Sequence, residues 1–225
     1  MRTAPRTSLQ SVLKLTVWLV VVVLSLSLGS SALAYSDVKD RDLAQALTDL
    51  SRFQIVNGYE DGTFRPMKKV TRAEFAKLII QTIKPDPEGS PAQDKTFPDV
   101  PASHWAYRFV NFARALEIIN GFPDGTFHPD DSITYEQAIK MIVVALYYGH
   151  SAEAAGGYPD GYVTVASSLN ILAGTQIDRK AEALRGVVAT LLHNALNAPL
   201  QSPVPFKGIQ YWTLHSVYDA LYSGR

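Results

Sequence analysis

Arg72 and Arg185 are the residues of this chain best placed to hold an anion. Each is the second residue of a block opening an apolar-periodic run, Thr71-Arg72-Ala73-Glu74 and Leu184-Arg185-Gly186-Val187. A helix N-terminus presents free N–H groups and positive potential. A guanidinium in that first turn adds a planar, two-pronged partner for a carboxylate. Around them stand groups suited to a sugar: Trp105 and Tyr158 offer aromatic faces, and Asp37 and Asp99 can accept bonds from hydroxyls. The chemistry these residue types allow is the holding of an anion beside groups that stack and accept hydrogen bonds.

Simpler roles fit several of these side chains. Thr71 with Glu74, and Thr134 with Gln137, match the capping box S/T-x-x-E/Q, so these four read as helix caps before ligand contacts. Asp37 and Asp99 fit a helix cap as well as a hydroxyl acceptor, and Trp105 and Tyr158 fit core packing as well as stacking. Asp61, Asp124 and Asp160 read as turn residues, because the calcium-loop pattern D-x-D-x-D-G-x5-E is absent. No metal is expected: there is no cysteine, and the histidines at 104, 128, 150, 193 and 215 lack ligand spacing. Nor does the chain carry a nucleophile elbow, a P-loop or a dinucleotide fingerprint, so no catalytic residue or cofactor is assigned. A carboxylate pair for glycan hydrolysis could be drawn in any domain and is the weaker alternative.

The elements that must position these residues come as a repeat. Asn57-Gly58-Tyr59-Glu60-Asp61-Gly62-Thr63-Phe64-Arg65-Pro66 returns 63 residues later as Asn120-Gly121-Phe122-Pro123-Asp124-Gly125-Thr126-Phe127-His128-Pro129, and the capping boxes keep the same offset. Upstream, Ser36-Asp37-Val38 answers Pro98-Asp99-Val100. Leu43, Leu47, Leu50 and Phe53 recur at helical spacing before the first loop, as do Phe109, Val110, Ala113, Leu116 and Ile119 before the second. After the loops, Phe75, Leu78, Ile79 and Ile83, then Ala138, Ile142, Val143 and Leu146, predict one buried face each. The glycines and proline of the loop suit tight turns, and Phe64 and Phe127 are expected to plug the loops onto the helices. A worn third copy follows: residues 163–174 align with the second copy at an offset of 53, and Arg185 onward parallels Arg72 onward without the capping box. Segments 86–95 and 147–157 read as connectors. Units unable to bury their own cores predict one fused all-α domain.

Composition agrees and removes other classes. Of the residues, 47% are hydrophobic and 19% charged, too apolar for a disordered tail. Lys+Arg and Asp+Glu are both 21, leaving no basic surplus for a phosphate backbone, so no nucleic-acid partner is expected. Residues 1–34 hold Arg2, Arg6 and Lys14, then the apolar run 15–28, then Ala32-Leu33-Ala34. This is the layout of a secretory signal peptide cleaved after Ala34, and the run is shorter than the ~20 residues that span a bilayer. The exported remainder would keep no integral membrane segment.

The ordered combination F-x-D-V, H-W-A, NG-x-x-DGTF-x-P and TRAE, carried most fully by residues 97–134, resembles the S-layer homology family. The resemblance covers roughly 35–200: copies at 35–92 and 93–150, a degenerate one at 151–200, and a tail at 201–225. It implies a pseudo-threefold bundle of three helix–loop–helix repeats with prongs separated by grooves. It also implies noncovalent attachment of an exported protein to the cell envelope. The implied ligand is a secondary cell-wall polysaccharide whose terminal sugar carries a pyruvate ketal, with peptidoglycan-linked glycan or a protein partner as alternatives. On this reading Arg72, Arg185, Trp105, Tyr158, Asp37 and Asp99 are the binding candidates, and the partly apolar tail could carry protein cargo. The copies depart from the pattern at Tyr135, which replaces the arginine, and at Asp42-Leu43, which replaces His-Trp, so unequal grooves are expected.

Overall fold

Seven helices follow one another along the residues that the computed structural model describes, 35–83 and 96–199. They are α1 (Arg41–Arg52), α2 (Arg72–Ile83), α3 (Tyr107–Ala115), α4 (Tyr135–Ala145), α5 (Gly149–Ala154), α6 (Asp160–Ser168) and α7 (Arg185–Leu196). The all-α expectation holds: among the described residues strand pairing is limited to isolated antiparallel bridges. The expected signal peptide 1–34, the connector 86–95 and the tail 201–225 lie outside the described residues. No helix among those described is long and apolar enough to cross a membrane.

Helices α2, α4 and α7 touch one another at the centre. Around them the first helix of each unit packs on the second helix of the unit before it: α3 on α2, α6 on α4 and, closing the circle, α1 on α7. The amphipathic faces expected from sequence are therefore buried across unit boundaries. His193 of α7 reinforces the closing pair, with its Nε2 3.0 Å from the Asp49 carboxylate of α1.

The centre is pinned by a ring of main-chain hydrogen bonds. Val70 N–H donates to the Ala183 carbonyl, Ala183 N–H to Ile133, and Ile133 N–H to Val70, at 3.0, 2.8 and 3.0 Å. Each of these residues immediately precedes the N-cap of a central helix.

Both capping boxes form. Glu74 N–H donates to Thr71 Oγ1 (3.1 Å) and Thr71 N–H to Glu74 Oε2 (3.0 Å); Thr134 and Gln137 repeat the exchange. At α7 the N-cap Leu184 has no side-chain oxygen to offer. Phe64 and Phe127 are fully buried, as expected of plugs, each beside an aromatic ring, Tyr35 at 5.4 Å and Phe97 at 5.5 Å.

Two expectations need correction. The connector 147–157 contains α5, whose Ala152 is buried and lies against Gly161 of α6; a Cβ on Gly161 would meet the Ala152 carbonyl oxygen at 2.0 Å. Asp160, taken as a turn residue, is the first residue of α6 and pairs with Arg179.

Candidate functional site

The repeated loop is a rigid hairpin. Asp124 Oδ1 accepts the Thr126 N–H at 2.9 Å and its hydroxyl at 2.5 Å, while Phe122 N–H donates to the Thr126 carbonyl. Asp61 does the same for Thr63, and these bonds, with the Arg65 ion pair, hold its carboxyl down to about 2. At Gly121 a Cβ would stand 2.3 Å from the Phe97 ring, so only glycine lets the loop lie this close to that ring.

Asp37 and Asp99 bind the main chain of the repeated loop. Asp37 accepts the N–H groups of Phe64 and Arg65 at 2.8 and 2.7 Å; Asp99 accepts those of Phe127 and His128. The bonds led by that from Phe64 keep the Asp37 carboxyl below its usual range. These carboxylates hold the loop where Arg65 and His128 turn left-handed, at φ 58° and 55°. They also cap no helix.

The free helix N-terminus is a second correction. The first N–H groups of α2, on Arg72 and Ala73, donate to the Asp131 and Pro129 carbonyls, and that of Glu74 to Thr71. Tyr135 and Glu136 of α4 donate to Ala181 and Arg179, and Arg185 and Gly186 of α7 to Lys68 and Pro66. Apart from the Glu74 N–H, which stays within its own capping box, these donors are committed to the neighbouring unit.

Arg72 is 9% exposed, donates from Nε to the Phe127 carbonyl (2.8 Å) and from Nη1 to Gln137 Oε1 (3.3 Å), and lies over the Phe122 and Phe127 rings at 4.6 and 4.7 Å. Burial pushes its pKa down, while Asp131 and Asp99 pull it back up. It floors a cavity of about 180 Å³ lined also by Asn120, Gly121, Phe122, Gln137, Lys140 and Tyr158. Tyr158 is 46% exposed, which decides against a core role; Lys140 Nζ stands 5.4 Å from its ring. Burial and the nearby Glu136 carboxylate push the Tyr158 hydroxyl up to about 12. Gln137 is therefore both cap and groove residue, and Lys140 is a groove cation that sequence reasoning missed. Its signal was present: Lys77 and Lys140 share the 63-residue offset on matching helix faces.

The threefold relation generates two further grooves. In the second, Arg185 donates from Nε to the Phe64 carbonyl (3.0 Å) and from Nη2 to the Asn57 carbonyl (2.7 Å), and lies over Phe64 at 4.4 Å. Trp105, 55% exposed and stacked on His104, is the counterpart of Tyr158, and Lys77 that of Lys140. Glu74 replaces Gln137 here and is paired with Lys68 at 2.6 Å. In the third, Tyr135 takes the arginine's place and is buried, its hydroxyl accepting the Leu184 N–H at 3.1 Å. This groove holds about 620 Å³ and is lined by Asp40, Asp42, Leu43, Met67, Val187 and Thr190 among others. Arginine, lysine and aromatic ring are all replaced at the equivalent positions.

Sequence comparison bears on the two loops directly. The S-layer homology domain matches residues 34–76 and 96–139. The chain carries two S-layer homology repeats. Helices α6 and α7 fall outside both matched segments. Relatives of these repeats include the middle cell wall protein of Brevibacillus brevis, 34% identical over 87% of this chain, and the surface layer protein of Brevibacillus choshinensis, 33% identical over 74%. The cellulosome-anchoring protein of Acetivibrio thermocellus is 32% identical over 53% of the chain. The chain spans 18%, 15% and 27% of those proteins' own lengths.

Proposed function

We propose that this chain is an exported, noncatalytic module that attaches noncovalently to the cell envelope at the cell surface. The cell-surface names of its relatives support that setting. Within it, residues 151–200 form a degenerate third repeat beside those at 35–92 and 93–150. The ligand is a wall polysaccharide whose terminal sugar carries a pyruvate ketal, held in the grooves of Arg72 and Arg185, while the groove of Tyr135 is inactive. The observation carrying this reading is the Arg72 groove itself: a guanidinium and an ammonium without a lining carboxylate, beside a half-exposed ring. A ketal carboxylate can meet the two cations while the sugar's C–H face lies on Tyr158 or Trp105.

The test is binding of the full chain to purified wall polysaccharide before and after removal of the ketal. Affinity should fall on depyruvylation; equal binding to both would hand the role to peptidoglycan or a protein partner. Lys140→Ala should weaken binding by about 1.5–3 kcal/mol, the range for a charged hydrogen bond, with little change in melting temperature. Arg72→Lys keeps the charge but loses the fork, and should recover only part of the affinity lost in Arg72→Ala.

A further inference from the structure

We infer that His128 is a positioning residue that tightens the Arg72 groove when protonated, making that groove pH-dependent while the Arg185 groove is not. The inference rests on the reading of these grooves as binding sites. It begins from a comparison within the molecule. Arg65 and His128 are threefold-equivalent: both left-handed, both following the plug phenylalanine, and both covering the loop aromatic, Tyr59 at 3.8 Å and Phe122 at 4.6 Å. Arg65 reaches Asp61 (2.9 Å), as His128 reaches Asp124. One brace carries a permanent charge and the other an imidazole.

The histidine also has a second acid. Its Nδ1 is 3.0 Å from Asp131 and its Nε2 is 3.3 Å from Asp124, whereas the first copy has Lys68 in the place of Asp131. A neutral imidazole has one N–H and can donate to only one of two carboxylates, leaving the other nitrogen's lone pair against an anion. The imidazolium donates to both. Asp131 first, then Asp124, holds the imidazole above its ordinary value of 6.5. Its stabilisation is thus fully present below that value and is lost as pH rises through the raised one.

The groove feels this brace through two contacts. Phe122 touches both the imidazole and the Arg72 guanidinium, its ring 4.6 Å from each. Asp131, one of the two braced acids, gives its carbonyl to the Arg72 N–H at 2.9 Å. The other charged groups facing His128 are Asp99, which accepts its backbone N–H, and Arg72 beyond Phe122.

Two readouts on the full chain test this. The first needs no ligand: the protection factors of the 120–131 loop amides, which divide out the intrinsic rise of exchange with pH, should fall as the His128 ring, followed by NMR, deprotonates, and His128→Arg should abolish that fall. The second uses pyruvylated wall polysaccharide and the Arg185→Ala chain, which leaves the Arg72 groove. Its affinity should fall about two- to fivefold between about pH 5.5 and about pH 8. Adding His128→Arg should hold it near the low-pH value, and His128→Gln near the high-pH value. The Arg72→Ala chain should lack this dependence. Loop protection factors indifferent to the His128 titration, or a binding profile that His128→Arg leaves unchanged, would overturn the inference. A responsive loop with no polysaccharide binding at any pH would instead sink the proposed ligand and leave the brace standing.

Discussion

Tyr135 stands at the position held elsewhere by arginine, and its hydroxyl ties two sequence departures together. In the first two repeats the N-cap N–H is satisfied by the N3 side chain, Glu74 or Gln137. Val187 cannot do this for Leu184, and Tyr135 does it instead. Tyr135→Phe should therefore cost about 1–2 kcal/mol in thermal unfolding, the penalty for a stranded N–H, and leave polysaccharide affinity unchanged. In the sequence these were two separate losses, one of a ligand group and one of a cap. Their compensation spans 49 residues and no local pattern carries it. The place of Arg72 in the first turn of a helix was legible from the Thr71 cap before it, whereas its burial against the Phe122 and Phe127 rings was not. The loop-holding bonds of Asp37 and Asp99 were not legible, because a carboxylate holding main-chain N–H groups 27 to 29 residues away leaves the same short motif as one facing a ligand.

Among the elements, the central helices α2 and α4 were the most legible, since their starts are written in side chains. Thr71→Ala removes the acceptor for Glu74 N–H and should lower stability by about 1 kcal/mol, measured by chemical denaturation. The same truncation at Leu184 removes no such bond. Short α5 was missed because its glycines signal a break, while the feature that makes it helical, a backbone contact with Gly161, is tertiary. Helical periodicity marked which faces are buried but could not name their partners. That choice is made by closure: α1 finds α7 at the far end of the chain.

For the whole molecule, the first helix of each repeat packs on the second helix of a neighbour. A fragment of residues 35–92 would have α1 without α7 and α2 without α3. It should be largely unfolded by circular dichroism; a helical, cooperatively melting monomer would contradict the exchange of helices. The main-chain ring joining Val70, Ala183 and Ile133 has a further consequence, for how such a protein can change its length. A stack of repeats with two open ends gains or loses a unit at little cost, because every interior joint is the same. Here the last unit returns to the first, so inserting a fourth would have to break a joint and widen the turn at every other one. Gene duplication can therefore enlarge this architecture only by whole turns of three. Rotating the order of the units, by contrast, preserves every joint, and a chain rewired to begin at residue 96 and end at residue 83, with 199 joined to 35 through a linker, should regain the same core.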